Sequence, residues 1–187
     1  MNRSGIVCAL ALLTLGSSPA RAQNWSLGAN VGLSVLSPKG GGDALTNFSW
    51  PGGGNEIFGE FLPGLRVGLV GAGERHEFYV DTGVNATSFS GESIHNILLT
   101  LNYQYNASTD RSAPFVTVGA GVTSFDGGGD SFTNGILGGG AGILHRLGNG
   151  HGAVRGEVHV DYITEDKNGL EGGTLVGLKL GFDLWMK

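Results

Sequence analysis

The sequence predicts an all-β fold: an eight-stranded antiparallel transmembrane β-barrel with up-and-down topology. Eight segments of about ten residues alternate apolar residues with small or polar ones, as strands between lipid and a lumen do. After the N-terminal leader, no apolar run approaches the roughly 20 residues of a spanning helix. Because hydrocarbon offers the backbone no hydrogen-bond partners, strands that cross it must close into a barrel.

The composition agrees with a wall that touches lipid. Of 187 residues, 40% are hydrophobic and only 14% are charged, whereas about a quarter are charged in soluble domains. Many of the 36 glycines fall inside the alternating segments, where a crowded lumen or a strand bend favours them. The net charge of −5, without a basic patch or phosphate-binding loop, argues against nucleic acid as a partner.

The N-terminus has the three parts of a secretory signal peptide. Arg3 gives the basic start, residues 6–15 are apolar, and residues 20–22 have the small-x-small pattern of a cleavage site after Ala22. We therefore expect a signal peptide at 1–22 and an outer-membrane barrel domain at 23–187. The sole cysteine, Cys8, lies in the leader, which leaves the mature chain without disulfides or cysteine-ligated metals.

Each alternating segment assigns its residues to two faces of the wall. From Trp25 to Val35, every odd-numbered residue is apolar and every even-numbered residue is small or polar. The predicted strands are 25–36, 62–72, 76–87, 95–106, 114–125, 134–147, 152–164 and 174–185.

Proline and glycine place the connections. Residues 37–61 contain two prolines and two glycine triplets, which predicts a long loop without a strand. Loops at 88–94, 126–133 and 165–173 alternate with shorter turns, and in such barrels the longer connections are extracellular. Near the predicted strand ends, where aromatic girdles form, lie Trp25, Tyr103, Tyr105, Tyr162, Phe182 and Trp185.

The face opposite the apolar one carries the charged residues, so it is predicted to line a lumen that has no apolar core. An eight-stranded barrel has an interior just wide enough for side chains, and charges packed there need partners. We interpret them as a structural salt-bridge plug, in preference to a gated pore or proton relay. The predicted network is Arg66, Asp81, Arg155, Glu157, His159, Asp161, Lys179 and Asp183.

Catalysis and metal binding are not indicated. His159 lies between Glu157 and Asp161, which would suit acid–base chemistry, but all three point inward and no serine lies beside them on that strand. The glycine–aspartate stretches 40–43 and 126–130 are single copies with too few ligands for calcium. We expect no catalytic residue, no cofactor and no metal.

Residues 114–162 contain three motifs in a fixed order: P-[FY]-V-x-x-G-A-G-V, G-x-G-A-G with a basic end, and R-x-E-x-x-x-D-Y. In these motifs the segment resembles the small outer-membrane β-barrel proteins of the OmpA/OmpX-like porin family. The resemblance implies an eight-stranded barrel in outer-membrane lipid, without one defined activity. The C-terminal residues Lys179, Gly181, Leu184 and Met186 are similar to the signal that the barrel-assembly machinery recognises, although the chain ends in Trp-Met-Lys instead of phenylalanine.

We expect a structural or surface-interaction role, with the loop at 37–61 as the contact for an extracellular ligand. Two alternatives remain at this point: a narrow small-solute channel, and a lipid-A-modifying outer-membrane enzyme. Single-channel conductance distinguishes the first alternative, and the mass spectrum of lipid A distinguishes the second.

Overall fold

A computed structural model shows a closed barrel of antiparallel strands. The structure describes residues 24–41, 43–49, 64–71, 73–89, 92–127, 130–148, 150–165 and 172–186. The expected signal peptide at 1–22 and residues 50–61 of the expected loop lie outside the described residues. Within the described part of the chain, no helix has the length and apolarity needed to cross a membrane.

The described strands form one sheet with meander order. They are β1 Asn24–Pro38, β2 Leu45–Ser49, β3 Leu65–Val70, β4 His76–Phe89, β5 Glu92–Asn106, β6 Ser112–Gly127, β7 Asp130–Arg146, β8 Gly152–Ile163 and β9 Gly173–Met186. The sheet order is β2-β1-β3-β4-β5-β6-β7-β8-β9, and the pairing of β1 with β9 closes the barrel.

Strands β2 and β3 together occupy one strand position in the barrel wall, and we call each such position a stave. Residues 45–49 pair with residues 36–32 of β1, and residues 65–70 pair with residues 29–24, so the two strands lie end to end along one edge of β1. The barrel therefore has eight staves, as predicted. The prediction that 37–61 contains no strand was wrong, because the ladder with β1 gives residues 45–49 the backbone partners that their local sequence does not reveal.

Two hairpins are longer than the sequence suggested. The ladders run to Phe89↔Glu92 and to Gly127↔Asp130, so the loops expected at 88–94 and 126–133 are mostly strand. Pairing with neighbouring strands continues there despite the glycines. The last pair between β7 and β8 is Ile136↔Ile163. We call residues 122–127 and 130–135 the projecting hairpin, whose six-residue extension of β7 spans about 20 Å along the strand.

The opposite end of the barrel carries the first residue of β1, the last residue of β9, and three turns of similar length at 71–75, 107–111 and 147–151. We call it the short-turn end. Its turns are longer than the two connections at 90–91 and 128–129, so the expected contrast between long and short connections holds only at 39–44 and 164–172. The reason is again that strand pairing replaces loop at the tips of the two long hairpins.

The side chains alternate between the outside and the lumen as predicted. Leu180 on the outer face is 62% exposed, whereas Asp183 on the inner face is 1% exposed. Trp185 corrects one expectation, because it is 5% exposed and lies in the lumen instead of in an aromatic girdle. It shares the inward parity of Asp183, and in a strand that parity decides the face whatever the residue type.

The lumen is apolar at both ends, which corrects the expectation that the inward face holds no apolar core. One layer lies near the projecting hairpin and the other at the short-turn end, and each draws its residues from several strands. The first layer is Leu36, Leu98, Ile136, Ile163 and Leu175. The second layer is Val70, Phe115, Leu144, Ala153 and Trp185.

Candidate functional site

The eight residues predicted to form a lumen network all lie on the inner face, at the depth between the two apolar layers. Strand β8 shows the arrangement, since Ala153 belongs to one layer, Ile163 to the other, and the charged residues alternate between them. Asp161 and Lys179 are half-buried. The other six are 0–5% exposed: Arg66, Asp81, Arg155, Glu157, His159 and Asp183.

Arg66 is the centre of the first charge cluster. Its guanidinium lies 2.8 Å from the Glu77 carboxylate and 3.6 Å from the Asp183 carboxylate. It also lies 3.4 Å from the centroid of the Tyr79 ring and donates a 3.3 Å hydrogen bond to the Gln104 side chain. A fully buried arginine is thus held by two carboxylates and a π face, which is the pairing that a buried charge requires.

Glycine at position 28 lets Asp183 reach Arg66 across β1. Gly28 is the register partner of Arg66 on one side and of Asp183 on the other. A Cβ at residue 28 would meet the Asp183 carboxylate and would lie 2.9 Å from the Phe182 carbonyl oxygen. The missing side chain therefore provides the space through which the ion pair forms.

Arg155 forms the second cluster. It pairs with Glu157, two residues along the same face of β8, and Thr117 Oγ1 donates a 3.0 Å hydrogen bond to the same carboxylate. The Arg155 guanidinium lies 5.5 Å from the Tyr79 ring and 5.1 Å from the Phe115 ring. Tyr79 therefore has both buried arginines within cation–π distance and connects the two clusters.

His159, Asp161 and Lys179 line a small cavity next to Glu157. The His159 Nε2 lies 3.4 Å from an Asp161 carboxylate oxygen. The cavity has a volume of about 20 Å³, which is room for about one water molecule. A substrate the size of a lipid has no place beside this imidazole, so the geometry suits a solvated structural contact better than acid–base chemistry.

Of the expected ion-pair partners, the structure brings together Arg66 with Asp183 and Arg155 with Glu157. Among the described residues, Asp81 and Lys179 form no ion pair, although each lies opposite a charged residue in its ladder. Sequence reasoning missed Glu77 as the nearest partner of Arg66. Its inward parity with Tyr79 on β4 was the signal that could have identified it.

Arg146 closes the short-turn end, and sequence reasoning missed this residue too. Its Nε lies 3.2 Å from the Glu74 carboxylate, and its terminal nitrogens donate to the backbone carbonyls of Ser108 and Asp110. Its guanidinium also lies 5.9 Å from the Trp185 ring. One buried side chain thus joins the turns at 71–75 and 107–111 to the end of β7, beneath the second apolar layer.

A serine–histidine contact lies on the outer wall, away from the lumen. The Ser112 hydroxyl and the His145 Nδ1 are 2.7 Å apart at the short-turn end, and both residues are exposed. Among the described residues, no carboxylate forms an ion pair with His145, although acyl transfer by such a pair uses an orienting acid and oxyanion donors. We interpret the contact as a cross-strand hydrogen bond.

Solved structures are similar to this chain at the level of the fold. Neisserial surface protein A (NspA) is 14% identical, with 86% of this chain and 96% of NspA covered and a TM-score of 0.59. Ail, the attachment invasion locus protein of Yersinia pestis, solved with the heparin analogue sucrose octasulfate, is 12% identical, with 88% and 99% covered and a TM-score of 0.49. The N-terminal β-barrel domain of Pseudomonas aeruginosa OprF is 14% identical, with 87% and 100% covered and a TM-score of 0.45.

In sequence, no protein-family model matches this chain, and no curated protein matches it either. At an identity of 14%, the structural similarity to NspA is evidence for the fold alone. The chain has the closed eight-stranded antiparallel barrel of the small outer-membrane proteins, the fold that its resemblance to OmpA/OmpX-like proteins predicts.

Proposed function

We propose that this protein is an outer-membrane barrel whose lumen is a packed structural core and whose function is exercised at the cell surface. The proposal rests on how the buried side chains are arranged along the lumen: an apolar layer, then the charged residues, then a second apolar layer. Among the described residues, the cavity beside His159 has a volume of about 20 Å³. A solute would have to displace both layers to pass, which favours a solid scaffold over a channel.

The outer face supports residence in lipid. Along β9 the outward residues Val176, Leu178, Leu180, Phe182 and Leu184 are all 42–62% exposed, as expected of a band that contacts acyl chains. With short turns in the periplasm, the projecting hairpin and residues 39–44 face the outside of the cell. Outer-membrane lipid and, during insertion, the barrel-assembly machinery are then the partners of the wall.

The projecting hairpin is the described surface best placed to contact an extracellular partner. It extends past the last pair of β7 with β8, and the pairing of β5 with β6 continues as far as Asp126. Between Thr123 and Asn134 the chain carries Asp126 and Asp130 and no basic residue. These charges favour a basic partner, and the segment 37–61, which the sequence predicts as an extracellular contact, would add a second one.

Conductance tests the closed lumen. The purified protein in planar lipid bilayers is expected to give no single-channel steps, while a general-diffusion porin in the same bilayers gives steps. If this protein gives regular single-channel conductance steps, and the Glu157→Gln variant gives steps of a different size, then ions pass the charged residues of the lumen. The narrow channel would then replace the proposed closed lumen.

Adherence tests the surface role. We would compare cells that produce the protein, cells that produce a variant with residues 125–132 replaced by an Asn-Gly turn, and vector cells, on polylysine-coated and polyglutamate-coated wells. The native protein is expected to increase adherence to polylysine over vector cells, and the trimmed variant to lose the increase while its barrel still folds. Equal adherence of all three strains would refute the surface role.

A further inference from the structure

A groove crosses the lipid-facing side of the wall at Gly156. It has a volume of about 550 Å³ and lies on four neighbouring staves, β7, β8, β9 and β1. Its walls are aliphatic, and the two side chains that flank Gly156 in register are Ile143 and Leu180. These two are also the most exposed large hydrophobic residues described, at 61% and 62%.

Nothing inside the barrel explains a glycine at position 156. At every other strand glycine whose surroundings are described, an added Cβ would lie within 3.3 Å of another atom, so a neighbouring group inside the barrel would have to shift. At Gly156 the nearest atom is the end of the Leu180 side chain at 3.6 Å, which is ordinary contact. A strand glycine weakens the strand and often marks a bulge, a tight bend or the close approach of another molecule. The ladders of β8 continue through Gly156 without a bulge, which favours close approach.

We propose that the groove at Gly156 is the interface with a second copy of this chain, in a parallel dimer. In lipid, transmembrane helices gain little from hydrophobicity alone, and their interfaces are enriched in small residues that let the backbones approach closely. We apply the same packing argument to the strand surface at Gly156. Here a notch and a protruding side chain lie on adjacent strands, since Gly156 and Leu180 are register partners. Such a surface is complementary to itself.

The geometry of the pair follows from membrane orientation. Both copies face the same way, so the two-fold axis lies along the membrane normal and the interface is isologous. An axis that passes between β8 and β9 places Leu180 of each copy over Gly156 of the other. Because strands tilt by about 40°, the two positions differ in depth by about 3 Å, which a leucine side chain spans.

Cysteine cross-linking tests this interface directly, since the mature chain has no native cysteine. Co-produced Gly156→Cys and Leu180→Cys copies are expected to give a covalent dimer with a short bis-maleimide in native membranes. Ala120→Cys, outward-facing on β6 and away from the groove, is the matched control and is expected to stay monomeric. Equal cross-linking at both places would refute a specific interface.

Sedimentation in detergent gives the second measurement. The native protein is expected to sediment as a dimer, and Gly156→Trp, which fills the notch, as a monomer with native heat-modifiable mobility on gels. A monomeric native protein overturns the proposal. If native mass spectrometry then finds a phospholipid that Gly156→Trp has lost, an acyl chain occupies the groove instead.

Discussion

Arg66→Met is expected to destabilise the barrel more than most single substitutions do. The native guanidinium lies between Glu77 at 2.8 Å and Asp183 at 3.6 Å, and all three side chains are buried. Methionine retains much of the side-chain volume, so the change removes the charge and leaves little cavity.

The size of the expected loss in stability depends on the two carboxylates that remain when the guanidinium is removed. Glu77 and Asp183 stay in the lumen without their cation, at 2% and 1% exposure, where water cannot replace it. Removing one member of a buried ion pair costs about 3–5 kcal/mol, and the lost hydrogen bond to Gln104 adds to this. With a urea dependence of about 1–3 kcal/mol per molar, the unfolding midpoint is expected to fall by at least about 1 M.

Equilibrium unfolding in urea, with the protein folded into detergent micelles and followed by tryptophan fluorescence and gel mobility, measures this. Lys39→Met is the matched control, because Lys39 and Glu165 form an exposed pair 3.8 Å apart that contributes little. If Arg66→Met unfolds at the same urea concentration as the native protein, the lumen charges are solvated and the plug is not a packed core.

Three further changes test other parts of the wall. Gly28→Ala places a Cβ against Asp183 and is expected to lower the free energy of unfolding by about 1–3 kcal/mol. The control variant Gly156→Ala is expected to leave this free energy unchanged or to raise it slightly. Equal urea midpoints for the two variants would contradict the role of Gly28. Arg146→Gln removes the side-chain contacts to the turns at 71–75 and 107–111, and it is expected to lower the same free energy by about 1.5–3 kcal/mol and to speed protease cleavage in those two turns. An unchanged cleavage rate would refute the closure. Phe115→Ala is expected to cost about 3–5 kcal/mol by thermal or urea unfolding because the ring is 2% exposed, so a loss below about 1 kcal/mol would mean that the second apolar layer is loosely packed.

The number of staves and the direction of most side chains could be predicted because strand alternation is local. A residue's parity within its own segment fixes its face, so Asp183 and Val176 were assigned correctly from neighbouring residues alone. The same rule held against composition at Trp185, where the aromatic residue type suggested a girdle and the parity placed the ring in the lumen.

What sequence reasoning could not supply depends on pairing between distant segments. Strand β2 forms because residues 45–49 pair with residues 36–32 of β1. The local sequence of these five residues, which lie between two glycine triplets, does not identify that pairing partner. The long hairpins have the same cause. In the candidate site, parity identifies which charges point inward, but only the register shows that Arg66 reaches Asp183 across Gly28.

The buried charges have a further consequence for how the barrel finds its register. Replacing a buried ion pair with apolar residues of similar volume is often neutral or stabilising, so stability alone does not favour Arg155 and Glu157 over leucines. A wall apolar on both faces, however, could slip by one residue and lose little, because a slip exchanges the two faces. In β8 a slip would turn Arg155 toward lipid at about 2–4 kcal/mol near the midplane, and would carry Glu157 there while Val158 entered the lumen. The charges therefore act against misregistered barrels, and the two apolar layers close the ends of the lumen over them.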